Sequence, residues 1–150
     1  MPRFPRTRPR AVLVAVVLMI ALVAAATLPA SAGGMRGQML RLINGVRQSH
    51  GEHPLQLSLQ VSLDAHHHSR LMADRGYLFH TGNILQVLGG RPWTVWGENI
   101  AQAKTVLSTF HAWMNSPEHR ANILQARFKH VGIGIFSKGQ WLWSTADFWG

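Results

Sequence analysis

The stretch 130–150 reads HVGIGIFSKGQWLWSTADFWG and contains two segments in which residue types alternate. Apolar residues occupy every other position of the first segment, with glycines between them, and the second segment alternates in the same way. A period of two is typical of β-strands, and the intervening Lys138-Gly139 favours a turn. The stretch therefore predicts an antiparallel hairpin. The alternating sets are Val131, Ile133, Ile135 and Trp141, Trp143, Thr145.

Upstream of this hairpin, apolar residues recur at intervals of three and four, which is typical of amphipathic helices. Glycine, proline and serine mark where these helices end or begin. The order of helices first and a hairpin last predicts an α+β domain built in layers. The predicted elements are a helix from Met35 to near Gly51, an extended Leu55–Leu57, a helix capped by Ser58 or Ser62 and ending at Gly76, a short helix Ile84–Leu88, a helix Val106–Met114 and a helix starting at Ser116-Pro117.

Length and composition exclude several classes of protein. The chain has 150 residues, a formal net charge of +9 and no cysteine. This length fits one domain with at most a short appendage. Without cysteine, the chain is not a disulfide scaffold, a thiolate zinc finger or a thiol enzyme. It also lacks the glycine-rich phosphate loops of nucleotide-binding enzymes.

The first 32 residues have the pattern of an export signal. Four arginines precede an uncharged apolar run from Ala11 to Leu28, and Ala30-Ser31-Ala32 follows as a small-x-small cleavage site. The alternative is an uncleaved membrane anchor, because about 18 apolar residues suffice to span a bilayer. We expect a signal peptide over 1–32 and a folded domain over 33–150. Because much of the basic charge lies in the signal, the composition does not favour a nucleic-acid partner.

Three residues from separate segments are candidates for a site. His80 follows the end of a predicted helix, Glu98 lies between glycine and apolar residues, and His119 lies one turn into a helix. Two histidines and a carboxylate can hold zinc with an open coordination position. They can equally form a hydrogen-bonded network in the core. Spacing alone leaves both readings open.

Other chemistries find less support in the sequence. Ser116, His119 and Glu98 are the residue types of a hydrolytic triad, but Ser116 is better explained as a helix cap. A His-Glu-x-x-His motif is absent. The consecutive histidines 66–68 cannot all face one metal, because neighbouring helix positions point about 100° apart.

The six tryptophans are candidates for two roles, packing in the core and lining a ligand site. Trp141 and Trp143 share one face of the second strand, so we expect both to pack on the helices. Trp93 and Trp96 flank the segment of Glu98 and are candidates to line a groove for an apolar ligand.

Several motifs appear in an order that resembles the CAP superfamily, which joins cysteine-rich secretory proteins, antigen 5 and group-one pathogenesis-related proteins. The similarity covers about residues 36–149 and is strongest to the cysteine-free bacterial secreted branch. The motifs are Leu42-Ile43-Asn44 with Arg47, Phe79-His80, Gly97-Glu98-Asn99-Ile100-Ala101, Trp113-Met114-Asn115-Ser116-Pro117 and Val131-Gly132-Ile133-Gly134.

The resemblance implies a three-layer α-β-α sandwich with an antiparallel sheet and a central cleft. In eukaryotic members that cleft holds two histidines and two glutamates, and its histidines can bind zinc or another divalent cation. By motif, His80 and His119 take the histidine places and Glu98 takes the first glutamate place. Ser116 stands where the second glutamate belongs, and we include it among the ligand-binding candidates.

Two hypotheses of function follow, and a third serves as a contrast. The first is a secreted binding module, without catalysis, whose cleft holds a divalent cation, an apolar or lipid-like ligand, or both. The second is an extracellular metal-assisted hydrolase in which Glu98 is the general base. The third is a structural envelope protein. The missing second glutamate favours the first hypothesis. All three hypotheses predict a protein outside the cell or in its envelope. The protein would contact a membrane only through residues 1–32, if that segment stays uncleaved.

Overall fold

The computed structural model describes residues 32–150, so the predicted signal or anchor segment lies outside the described residues. Within residues 32–150, no helix combines the length and the hydrophobicity needed to cross a membrane. The elements are α1 (Ala32–Ser49), β1 (Gln56–Leu57), α2 (Leu59–Arg75), α3 (Ile84–Leu88), β2 (Trp96–Ala103), α4 (Val106–Asn115), α5 (Pro117–Leu124), β3 (His130–Lys138) and β4 (Trp141–Trp149).

These elements confirm the predicted α+β class, the helices and the C-terminal hairpin. Ser58 caps α2 by accepting a hydrogen bond from the backbone N–H of Val61, and Gly76 ends the helix in the left-handed conformation. Ser62 is instead buried, where its hydroxyl donates to the Ser58 carbonyl. Sequence analysis missed β2, which carries Glu98. Its residues lack the strict alternation that identified the hairpin.

The four strands form one sheet in the order β1-β3-β4-β2. β4 lies at the centre, antiparallel to both β3 and β2. The short β1 adds to β3 in parallel, which modifies the expectation of an antiparallel sheet at one edge only. β2 is the other edge strand of this sheet. Glu98 therefore lies on a strand that, within the described part of the chain, pairs with another strand along one edge only.

Helix α2 covers one face of the sheet at short range. Gly132 and Gly134 of β3 point toward it, and a Cβ on Gly134 would lie 2.1 Å from the Ala65 carbonyl carbon. Glycine is therefore needed here for space, not for an unusual backbone angle. Trp143 is buried on this face as predicted. The prediction for Trp141 was wrong, since the strand carries it beyond the helix and leaves it 36% exposed.

The opposite face packs against α1, α4 and α5 and forms the main hydrophobic core. Val131, Ile133 and Ile135 of β3 are fully or almost fully buried there, together with Trp113 of α4. Two helical layers therefore enclose the sheet, which is the predicted α-β-α sandwich. Burial of this apolar surface supplies most of the stabilisation that a cysteine-free chain needs.

A buried arginine ties α1 to the C-terminal half of the chain. Arg47 has no exposed surface, and its guanidinium donates to four backbone carbonyls. Burial lowers the pKa of this side chain, because the charged form loses its hydration. The four hydrogen bonds replace that hydration. The accepting carbonyls belong to His53, Ile123, Gln125 and Phe128.

Candidate functional site

Glu98 forms the buried centre of the candidate site. Its strand, β2, alternates between the two layers, and the Glu98 carboxylate lies on the α2 side with only 1% of its side chain exposed. A buried carboxylate costs free energy unless hydrogen bonds compensate. The residues that follow α2 provide those hydrogen bonds.

His80 and Thr81 both bind the Glu98 carboxylate. His80 Nδ1 lies 2.6 Å from Oε1, and the Thr81 backbone N–H donates to the same oxygen at 3.0 Å. The Thr81 hydroxyl donates to Oε2 at 2.5 Å. The loop after α2 is thus fixed to the edge strand. The His80 ring remains 61% exposed, so one face of the pair is buried and the other meets solvent.

His68 holds the same loop from the helix side. Its Nε2 lies 2.8 Å from the carbonyl oxygen of Phe79 and 4.0 Å from Glu98 Oε2. The neighbouring His66 bonds the carbonyl of Ile135 instead, and His67 is exposed. The three consecutive histidines therefore diverge, as helix geometry predicted.

His119 approaches from α5 on the other layer. Burial lowers its pKa, the charge of His80 lowers it further, and Glu118 opposes the shift. The backbone carbonyl of His119 accepts a hydrogen bond from Asn99, the residue after Glu98. Asn122 donates to the Asn99 side chain and to the Glu98 carbonyl. Strand β2 is thus hydrogen-bonded both to the loop that carries His80 and to the helix that carries His119.

Asp147 is part of the site and was missed by sequence analysis. It pairs with Glu98 across the β2–β4 ladder and is 1% exposed. Burial raises its pKa well above the ordinary value, and Glu98 and Asp64 raise it further. Its place in the alternation of Trp143 and Thr145 signalled a buried position. That position alone does not indicate a functional site, because the proximity of Asp147 to Glu98 depends on the pairing of β4 with β2.

The donor set limits what metal the site can hold. Among residues 32–150, no three His, Cys, Asp or Glu side chains gather in the way that metal ligands do. Both Glu98 oxygens are engaged in hydrogen bonds, so the candidate donors from the sequence are the imidazoles of His80 and His119. Two imidazoles suit a first-row divalent cation whose remaining positions are filled by water or by a ligand.

A cavity of about 320 Å³ opens beside the Glu98 cluster, between α2, the loop and α3. Leu71, Phe79 and Val87 form its apolar wall, and Asp64 and Asn83 are among its polar residues. His68 and Thr81 line the cavity and also contact or approach Glu98. A small ligand in this cavity would therefore contact His68 and Thr81, which lie next to Glu98, whereas His80, Glu98 and His119 themselves are not among its lining residues.

The remaining candidates lie elsewhere. Trp93 lines a different cavity, and Trp96 packs with Val61, Leu88 and Trp149. Neither tryptophan is among the residues that line the cavity beside Glu98. Ser116 is the N-cap residue of α5 and Pro117 its first residue, as predicted, but the Ser116 side chain makes no capping hydrogen bond.

Comparison with known proteins agrees with the fold and the motif order. The profile of the cysteine-rich secretory protein family, CAP, matches residues 40–148. The chain is 34% identical over 123 residues to the uncharacterized protein YkwD of Bacillus subtilis, covering 77% of this chain and 48% of that protein. The chain thus spans about half the length of this curated relative.

Solved structures give the same result. An extracellular protein from Bacillus anthracis that contains an SCP domain superposes with a TM-score of 0.69 at 29% identity, over 79% of this chain and 41% of that one. An outer surface protein from Borrelia burgdorferi superposes with a TM-score of 0.71 at 14% identity, over 79% and 94%. The second likeness concerns the fold alone. With its matching profile, its relative and its three-layer fold, the chain belongs to the CAP family of cysteine-rich secretory proteins.

Proposed function

We propose that this chain is an extracellular binding module that holds a divalent cation through His80 and His119. The extracellular relative from Bacillus anthracis supports a location outside the cell or in its envelope. The predicted export signal supports the same location. The module binds and does not catalyse, and its small cavity takes the organic part of a ligand that reaches the cation.

The 2.6 Å contact between His80 Nδ1 and Glu98 Oε1 carries this proposal. A carboxylate accepts, so Nδ1 is the donor in this contact, and in the neutral imidazole Nε2 then carries the lone pair that a metal needs. Ligating histidines commonly donate their other ring N–H to a carboxylate in this way. Burial of His119 favours its neutral form, which is the form that binds a metal.

The same contacts favour an orienting role for Glu98 over the role of general base. A general base must reach the proton that it abstracts. Both Glu98 oxygens already accept hydrogen bonds, and the side chain is 1% exposed. The hydrolase hypothesis thus finds little support in the geometry.

The cavity supports a small, partly polar ligand. At about 320 Å³ it lies at the lower end of the range for small-molecule sites. Its apolar wall of Leu71, Phe79 and Val87 suits a short hydrocarbon portion, and Asp64 and Asn83 suit a polar group. A long lipid chain would have to extend out of it.

Zinc titration of the full-length chain by calorimetry at pH 7.5 tests the proposal. We expect one zinc ion per chain and at least a tenfold loss of affinity in His80→Ala/His119→Ala. The matched control is His53→Ala/His111→Ala, which removes two exposed histidines outside the site and should bind as the parent does. Absence of zinc binding, or an equal loss in the control, would refute the cation site.

A further inference from the structure

A second recess lies at the end of the sheet where β3 begins and β4 ends. Two open cavities of about 340 and 450 Å³ form it, and they adjoin because both are lined by Lys129 and His130. Trp93 lines the first cavity, and His53 and Pro54 line the second. We call this recess the basic groove. None of its lining residues belongs to the cavity beside Glu98.

The titratable side chains that line the basic groove are those of Lys129, His53 and His130. No aspartate or glutamate lines either cavity. The side chains of Lys129, His53 and His130 form no hydrogen bond or ion pair within residues 32–150. His130 is held instead by stacking on Trp149, with ring centroids 5.2 Å apart. These nitrogen atoms are therefore free to meet an anion.

The cavity beside Glu98 has the opposite character. Asp64 lines it, and Glu98 lies next to two of its lining residues, His68 and Thr81. An anionic ligand is repelled from that cavity and attracted to the basic groove. The folded domain over 33–150 is also net basic, because only four of the 15 Lys and Arg residues lie before it, and this strengthens the attraction at longer range.

Shape and aromatic surface indicate what kind of anion fits. The indole of Trp93 is 38% exposed at one end of the groove, and Pro54 is exposed at the other. Aromatic rings of this kind offer an apolar face with a polar edge, which suits the C–H face of a sugar ring. Two adjoining open cavities suit an extended chain better than a compact ion.

We propose that the basic groove binds an anionic carbohydrate chain, in which sugar or polyol units carry phosphate or carboxylate groups. A sugar unit lies on Trp93 and an anionic group meets Lys129. One lysine is too few for a duplex nucleic acid, whose affinity comes from many phosphate contacts. The concave shape likewise disfavours a flat lipid surface.

Binding of two defined polymers to the full-length chain tests this proposal. The probes are poly(glycerol phosphate) and oligogalacturonate, titrated in 50 mM NaCl by calorimetry. We expect at least a tenfold loss of affinity in Trp93→Ala/Lys129→Gln. The matched control is Trp141→Ala/Lys104→Gln, which removes an exposed tryptophan and the lysine 5.8 Å from its ring, outside the groove. The control should bind as the parent does.

The outcomes separate the sources of the anion. Binding of poly(glycerol phosphate) alone assigns a phosphate-bearing chain, binding of oligogalacturonate alone assigns a carboxylate-bearing one, and both support the groove. Affinity should fall as salt rises, because exposed charges are screened. Binding of neither polymer overturns the proposal, as does equal loss in the control. Tighter binding of duplex DNA, of anionic vesicles or of free inorganic phosphate also overturns it. Unchanged melting temperatures show that both variants fold.

Discussion

Asp147 lies directly across from Glu98 in the β2–β4 ladder, so the site contains two buried carboxyl groups on one face of the sheet. Glu98 receives its hydrogen bonds from His80 and Thr81, whereas Asp147 Oδ1 has no hydrogen-bond partner in the described structure. Two adjacent carboxylates cannot both ionise cheaply in a buried place. Burial and the neighbouring Glu98 therefore raise the pKa of Asp147 well above its ordinary value.

Asp147→Asn should make the stability of the protein less dependent on pH. The pKa of Asp147 is raised in the folded state, so the folded state holds a proton that the unfolded state releases above about pH 4. The free energy of unfolding then falls as pH rises through the window between the unfolded and folded pKa. Asparagine removes this loss, and we expect a gain of about 1–3 kcal/mol at pH 7 and a smaller one at pH 4.

Urea denaturation at pH 4, 5.5 and 7 measures this difference. Asp74→Asn is the control, because that side chain is 51% exposed and pairs with Lys138 and Arg70 at the surface. Its effect should stay below about 1 kcal/mol at each pH. A pH-independent effect of Asp147→Asn would contradict the raised pKa.

Gly134→Ala should destabilise the protein by about 3 kcal/mol or more, because the new Cβ would overlap the backbone of α2. Gly45→Ala is the matched control. A Cβ there meets no atom within 4 Å, and alanine stabilises a helix by about 0.5–1 kcal/mol relative to glycine. Thermal and urea unfolding of both variants measure the contrast. Similar stabilities would show that α2 moves away from the sheet at little cost.

Arg47→Met should cost about 2–4 kcal/mol, although it keeps much of the buried apolar stem. Four carbonyls lose their donor, and buried unsatisfied groups carry a large penalty. Arg41→Met on the exposed side of the same helix should change stability by less than about 0.5 kcal/mol. Urea midpoints compare the two variants. An equal, small effect would mean that water reaches the Arg47 carbonyls.

Thr81→Val should weaken zinc binding by about tenfold while leaving both proposed ligands in place. The change removes the hydroxyl donor to Glu98 and keeps the backbone donor, so the carboxylate that orients His80 is held less firmly. Thr81→Ser restores the hydroxyl and should recover the affinity. Calorimetric zinc titration at constant pH measures all three chains. An unaltered affinity in Thr81→Val would show that Glu98 does not need this hydrogen bond.

The sequence predicted those elements whose side chains alternate or recur regularly. Val131, Ile133 and Ile135 identified β3 because every second residue is buried in the same core. β2 escaped because both of its faces are buried from Gly97 to Ala101, so polar Glu98 and Asn99 replaced the expected apolar alternation. A strand that carries a buried acidic residue lacks the apolar alternation by which strands are recognised, so its sequence resembles that of a loop.

Only part of the candidate site could be predicted from the sequence. Motif order predicted His80, Glu98 and His119 in one cleft, and the structure brings His80 into contact with Glu98, although none of the three lines the cavity beside them. The role of Asp147 depends on strand register, and the hydrogen bonds of Thr81 depend on the path of a loop. Neither the strand register nor the path of the loop can be inferred from the spacing of residues along the sequence.

The hydrogen bonds of Arg47 also constrain when the chain can fold. Three of its four acceptors lie 76 to 81 residues further along, and β1 gains its strand partner only from β3. Helix α2 likewise rests on β3 and β4, which are made last. Contacts of such sequence separation close slowly, because loop entropy is lost before they form. The amino-terminal half therefore cannot complete its fold during synthesis until the C-terminal hairpin has emerged.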